Sequence, residues 1–135
     1  MVFTPIRRDA DTERFFESTQ RREFPLATCT ACGAVGGPQE TICYQCGAAE
    51  LTWSTAAAGA VVRSWIVMHG KPGADGTEPP TKVIVIGELY EGPWWWAPLL
   101  DPDDRELADG TPLILDFAPA GEELLPAFRL APDRA

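Results

Sequence analysis

The stretch CTACGAVGGPQETICYQCG, from Cys29 to Gly47, decides the reading of this chain. It holds all four cysteines, as two copies of a C-x-x-C-G pattern with ten residues between the pairs. Two residues between paired cysteines let one tight turn aim both sulfurs at the same ion. Each pair is followed by a glycine, Gly33 or Gly47, read as letting backbone N–H groups fold toward the thiolates without a side-chain clash. Two such turns facing each other from short hairpins make a zinc ribbon, with Cys29, Cys32, Cys43 and Cys46 as ligands. Four thiolates leave no coordination position for water, so a structural rather than catalytic zinc is expected. Two rival chemistries fit the same residues: a pair of disulfides, or an iron held by four thiolates in rubredoxin fashion.

The surrounding sequence favours the metal over disulfides. The first residues, MVFTPIRRD, lack the basic and apolar regions of a signal peptide. Wholly apolar runs, such as residues 83–86, are far too short to span a bilayer. A cytoplasmic chain with reduced thiols and no membrane association is therefore expected. The chain has 135 residues, a net charge of −9 and a pI near 4.5. Binding to phosphate backbones needs clustered Lys and Arg, so a nucleic-acid partner is not expected. Arg7, Arg8, Arg14, Arg21 and Arg22 do gather near the N-terminus.

Residues 9–22 read as a helix, with Asp9 or Asp11 as cap and Pro25 as stop. Its adjacent Phe15 and Phe16 either fold back onto the rest of the chain or lie on a partner subunit. Short ribbon strands are expected at residues 26–28 and 50–53, with Gly36, Gly37 and Pro38 in the turn between. Five further strands follow, at residues 60–69, 81–90, 93–100, 112–117 and 126–130. The first of these is read with Val61, Arg63, Trp65 and Val67 on one face and Val62, Ser64, Ile66 and Met68 on the other. The fold class is thus mainly β: an N-terminal helical segment (1–25), a four-cysteine zinc ribbon (26–55) and a five-stranded OB-type barrel (56–135). An SH3-like barrel is the alternative.

Two segments suggest binding. The loop HGKPGADGTEPP, residues 69–80, is long for a connection between core strands and carries His69 and Lys71. The run Trp94-Trp95-Trp96 places Trp94 and Trp96 on one face of a strand and Trp95 on the other. A small barrel cannot bury indoles on both faces, so at least one is expected at a partner or ligand surface. Trp53 and Trp65 read as core residues. The acidic pairs Asp103–Asp104 and Glu122–Glu123 sit in turn contexts and read as solvated. Catalytic constellations are not evident: His69 is the single histidine, and no phosphate-binding glycine loop occurs.

Taken in order, ERFFE (13–17), the two cysteine pairs, GAVVRSWIVMH (59–69), VIGELYEGP (85–93), DPDDRELADGTPL (101–113) and PAFRLA (126–131) resemble the acyl-CoA-associated family that joins a rubredoxin-like zinc ribbon to an OB-fold. The resemblance implies a non-catalytic accessory subunit of a thiolase-fold complex, of lyase or acyltransferase type. Such complexes make or break carbon–carbon bonds on acyl-CoA thioesters, including aldolases and thiolases of steroid side-chain degradation and lipid metabolism. It implies a hetero-oligomer with a thiolase-like, lipid-transfer-type partner, and acyl-CoA held at or near the interface. After the EGP turn, family members commonly run through an Arg to a Gly-Asn pair. Here Trp94-Trp95-Trp96-Ala97-Pro98 stands instead, so any role of that pair does not carry over. The alternative is a stand-alone acyl-CoA carrier, which would need Arg63, Lys71 or Lys82 to cluster around the phosphates.

Overall fold

A computed structural model of the chain describes residues 3–77, 81–102 and 106–132. One helix, α1 (Glu13–Gln20), precedes eight strands: β1 (Pro25–Cys29), β2 (Val35–Gly36), β3 (Leu51–Thr55), β4 (Gly59–Met68), β5 (Lys82–Leu89), β6 (Trp94–Pro98), β7 (Pro112–Ala120) and β8 (Glu123–Leu130). They form a three-stranded sheet, β2-β1-β3, and a five-stranded sheet, β6-β5-β4-β7-β8, with all ladders antiparallel. Leu99, just past β6, makes one parallel bridge to Phe128 on β8, and Leu100 N–H donates to the Phe128 carbonyl at 2.7 Å. The two outer strands thus meet in the partly open OB order expected from the sequence, at a single bridge and not along a full ladder.

The helix is shorter than its sequence pattern. Asp9 caps a turn ahead of it, its Oδ1 accepting from the N–H groups of Asp11 and Thr12. The stop is at Arg22, not Pro25. Arg22 takes a φ of 57°, Glu23 N–H donates to the Ser18 carbonyl, and Arg22 N–H to that of Thr19. This paired closure ends a helix with a left-handed residue, here an arginine where glycine is usual. Pro25 instead opens β1, where it pairs with Thr55.

A register shift between Val62 and Ser64 overturns the expected face assignment of β4. Arg63 is the extra residue, and the strand changes face across it. Directly paired side chains share a face. Ala60 and Val62 stand opposite Leu89 and Gly87, and Trp65 and Val67 stand opposite Val85 and Val83. All four therefore lie on the face that carries the core. Trp65 sits past the covered part of that face and is 39% exposed, and Trp53 on β3 is 37% exposed. Neither is the core residue expected. Arg14 lies over the Trp53 ring, 5.0 Å from its centre.

The last hairpin is longer than the expected strands at 112–117 and 126–130. Pro119 lies where β7 pairs with β8 alone, so its missing N–H breaks no second ladder. Pro126 lies on β8, the outer strand. One core runs through both sheets, from Phe24 and Leu26 at the base of the ribbon to Val62, Val85, Leu89, Leu113 and Phe128.

Candidate metal centre and partner-facing surface

The two C-x-x-C turns converge. The Sγ atoms of Cys29 and Cys46 lie 3.6 Å apart, those of Cys32 and Cys43 lie 3.5 Å apart, and all four fall within 4.8 Å of one another. None is in a disulfide. A tetrahedral zinc with Zn–S bonds of ~2.3 Å sets its sulfurs about 3.8 Å apart. The observed spacings lie near that value and far from a bonded pair. These four cysteines could therefore hold one metal ion. Cys29 and Cys43 are buried, while Cys32 and Cys46 face outward.

Each knuckle closes the same way. Gly33 N–H donates to the Cys29 carbonyl at 2.9 Å, and Gly47 N–H to the Cys43 carbonyl at 3.0 Å. The glycines have φ of 81° and 79°, and a side chain at either would meet nothing within 4 Å. Their requirement is therefore conformational. The avoided clash expected from the sequence is absent, but backbone N–H groups do turn toward a sulfur as expected, from residues other than the glycines. The amides of Gln45 and Cys46 point at Cys43 Sγ, at 3.4 and 3.5 Å. The Cys46 N–H chiefly, aided by that of Gln45 against the cost of burial, holds the Cys43 thiol down to about 6. Cys32 goes the other way: its Ala34 N–H favours the thiolate, but the neighbouring thiols and burial push it up to about 12. Four thiolates this close repel one another, and a bound cation would hold them together.

The tryptophan run divides as expected. Trp94 and Trp96 are 58% and 70% exposed. Trp95 turns inward, its ring 5.0 Å from Phe24 and 6.2 Å from Phe15. The N-terminal segment thus folds back on its own chain. Phe15 is half-buried, and Phe16 is buried, edge-on to Phe15 at 5.2 Å, so it is a packing residue and not a surface one. Gln20 and Arg8 both reach Glu123, Arg8 with two hydrogen bonds at 2.7 and 3.0 Å. Glu123, expected to be solvated, is buried by this contact, whereas Glu122 is exposed.

His69 and Lys71 are exposed at the start of the β4–β5 loop, away from the cysteines and the indoles in sequence and unpaired with either. Residues 78–80 of that loop, and Asp103 and Asp104, lie outside the described residues. Glu88 was missed by sequence reading. It accepts from Trp94 Nε1 at 2.9 Å and from Arg63 at 2.9 Å, while Arg63 also reaches Asp109. Arg63 first, then the Trp94 N–H, hold the Glu88 carboxyl below its ordinary value. Counting back from the EGP turn pairs Glu88 with Trp94, so the signal was present in the hairpin register.

No protein-family profile and no curated protein matches the sequence. Solved structures do. The Ltp2-ChsH2(DUF35) aldolase matches with a TM-score of 0.76 at 27% identity, over 93% of this chain and 98% of that one. The fold is that of DUF35 proteins. A DUF35-family protein of unknown function from Sulfolobus solfataricus also matches, with a TM-score of 0.63 at 13% identity, over 90% of this chain and 86% of that one. The DUF35 likeness thus takes in helix, ribbon and barrel together. Among the described residues, no helix is long and apolar enough to cross a membrane.

Proposed function

We propose that this chain is an accessory subunit of a two-component enzyme that makes or breaks a carbon–carbon bond in an acyl-CoA thioester. In this reading a thiolase-like subunit of lipid-transfer type supplies the reacting groups. This chain completes and stabilises the partner's active site. The observation that carries it is the end-to-end match to the DUF35 chain of an aldolase that also contains Ltp2. The exposed indoles of Trp94 and Trp96 support it, since rigid aromatic surface is characteristic of protein interfaces.

The four-cysteine cluster is read as a structural zinc site in a reducing, cytoplasmic setting. Zinc suits four thiolates closed to water, and its binding would hold a ribbon whose own strands are short. A steroid-type acyl group is the substrate class in this reading, with acyl-CoA held at or near the subunit interface. The carrier alternative has less support: Arg63, one of its three candidate phosphate ligands, is already engaged by Glu88 and Asp109.

The test is reconstitution. The chain, the aldolase-type subunit produced by the same cells, and the two together are assayed for carbon–carbon cleavage of acyl-CoA substrates. Activity only in the mixture is expected. Sustained turnover by the larger subunit alone would refute the accessory role.

A further inference from the structure

The pairing register places one set of side chains on the side of the barrel sheet opposite the core. On β6 and β5, Trp94 pairs with Glu88, Trp96 with Ile86 and Pro98 with Ile84. On β5 and β4, Ile86 pairs with Ser64, Ile84 with Ile66 and Lys82 with Met68. Directly opposed residues share a face, and alternation puts Val85, Gly87 and Leu89 on the other, buried one. Ile66 is 56% exposed and Met68 47%. The two indoles alone leave about 300 Å² open to solvent, taking ~250 Å² for a whole Trp. With the aliphatic side chains beside them the strip reaches the size, several hundred Å², at which an apolar patch marks an interaction site.

We propose that this face, from Trp94 and Trp96 across Ile86 and Ile84 to Ile66 and Met68, docks a partner protein that presents an apolar patch bordered by lysine or arginine. The identification of that partner as the aldolase-type subunit rests on the functional reading above. Two observations select the occupant. A net charge of −9 opposes docking against a second copy of this acidic chain. At its Trp94 end the strip runs into a cleft lined by Tyr44 and Glu40, and the acidic excess of the chain complements a cationic border. The surface is also preorganised: Glu88, itself held by Arg63, fixes the Trp94 indole before any partner arrives. A fixed indole loses little freedom on binding and makes an efficient anchor.

The experiment co-expresses the tagged chain with the aldolase-type subunit from its own cells and measures their affinity. Trp96→Glu and Ile66→Glu are compared with Trp53→Glu, an exposed tryptophan on the ribbon. Circular dichroism and metal content of each variant are recorded alongside. The expected result is affinity at least about tenfold weaker for W96E and I66E, near wild type for W53E, and unchanged spectra and metal. Wild-type affinity in W96E and I66E would overturn the docking face and leave the accessory reading standing. No association by the wild-type chain would overturn both. A concentration-dependent dimer of the chain alone, lost in W96E, would assign the face to a second copy and so overturn the proposal.

Discussion

The indole N–H of Trp94 donates to the Glu88 carboxylate at 2.9 Å, directly across the β5–β6 ladder. This bond turns an exposed aromatic into a fixed one. Glu88→Ala removes the acceptor and leaves the strand pairing intact. The Trp94 indole N–H, followed by NMR, is expected to exchange with solvent several-fold faster in that variant, while backbone amides of β5 keep their rates. Equal indole exchange in both proteins would mean that Glu88 does not hold the ring.

The cysteine cluster makes a stoichiometric claim. One metal ion per chain is expected by elemental analysis, with zinc giving a colourless protein. Binding to such a site contributes about 10–16 kcal/mol in zinc-finger peptides, comparable to the whole stability of a small domain at about 5–15 kcal/mol. Cys29→Ser, or a strong chelator, is therefore expected to remove the metal and unfold the ribbon. Phe24 and Leu26 belong to the shared core, so the barrel should lose stability as well. Full thermal stability in metal-free protein would contradict the structural role.

Gly87 is a packing position. A Cβ there would lie 2.8 Å from Phe128 Cζ and 3.3 Å from Leu113 Cδ1, both buried residues that have no room to yield. Gly87→Ala should cost about 1–3 kcal/mol in denaturant unfolding. At Gly59 the added Cβ would meet the Tyr90 ring even more closely, but Tyr90 is 67% exposed and can swing away. The expected order is thus a larger loss for G87A than for G59A, and the reverse order would show that the Phe128 ring has space to shift.

The contact between Arg8 and Glu123 sets a direction with pH. Arg8 above all, with Gln20 assisting against the cost of burial, holds the Glu123 carboxyl below its ordinary value of 4.5. A carboxyl lowered in the folded state contributes stability that is complete above the unfolded value and is lost as pH falls through the folded one. The hold of the N-terminal segment on β8 should therefore weaken as pH falls below about 4.5. Glu123→Gln is expected to remove that part of the pH dependence, measured by chemical denaturation between neutral pH and acid. An unchanged acid limb in E123Q would mean that other carboxylates dominate it.

The cysteine cluster was legible in the sequence because it is local: two turns of fixed spacing hold all four thiols. The two-sidedness of the tryptophan run was legible for the same reason, since strand alternation needs no long-range information. What escaped was set by pairing between distant segments. The extra residue at Arg63 changes the face of β4 and is visible only against β5. Trp53 and Trp65 are large and apolar, yet they fall where nothing in the described chain covers them fully. The last two strands extend past their expected ends at residues 117 and 126 because β7 and β8 pair along their whole length, a contact set by the topology. Glu123 read as a solvated turn residue because its partner, Arg8, is 115 positions away.

Native mass spectrometry of the gently purified chain from its own cells reports metal and partner in one spectrum. The expected species is a complex of the zinc-bearing chain with a larger thiolase-like subunit. A zinc-bearing chain found only by itself would contradict the accessory role.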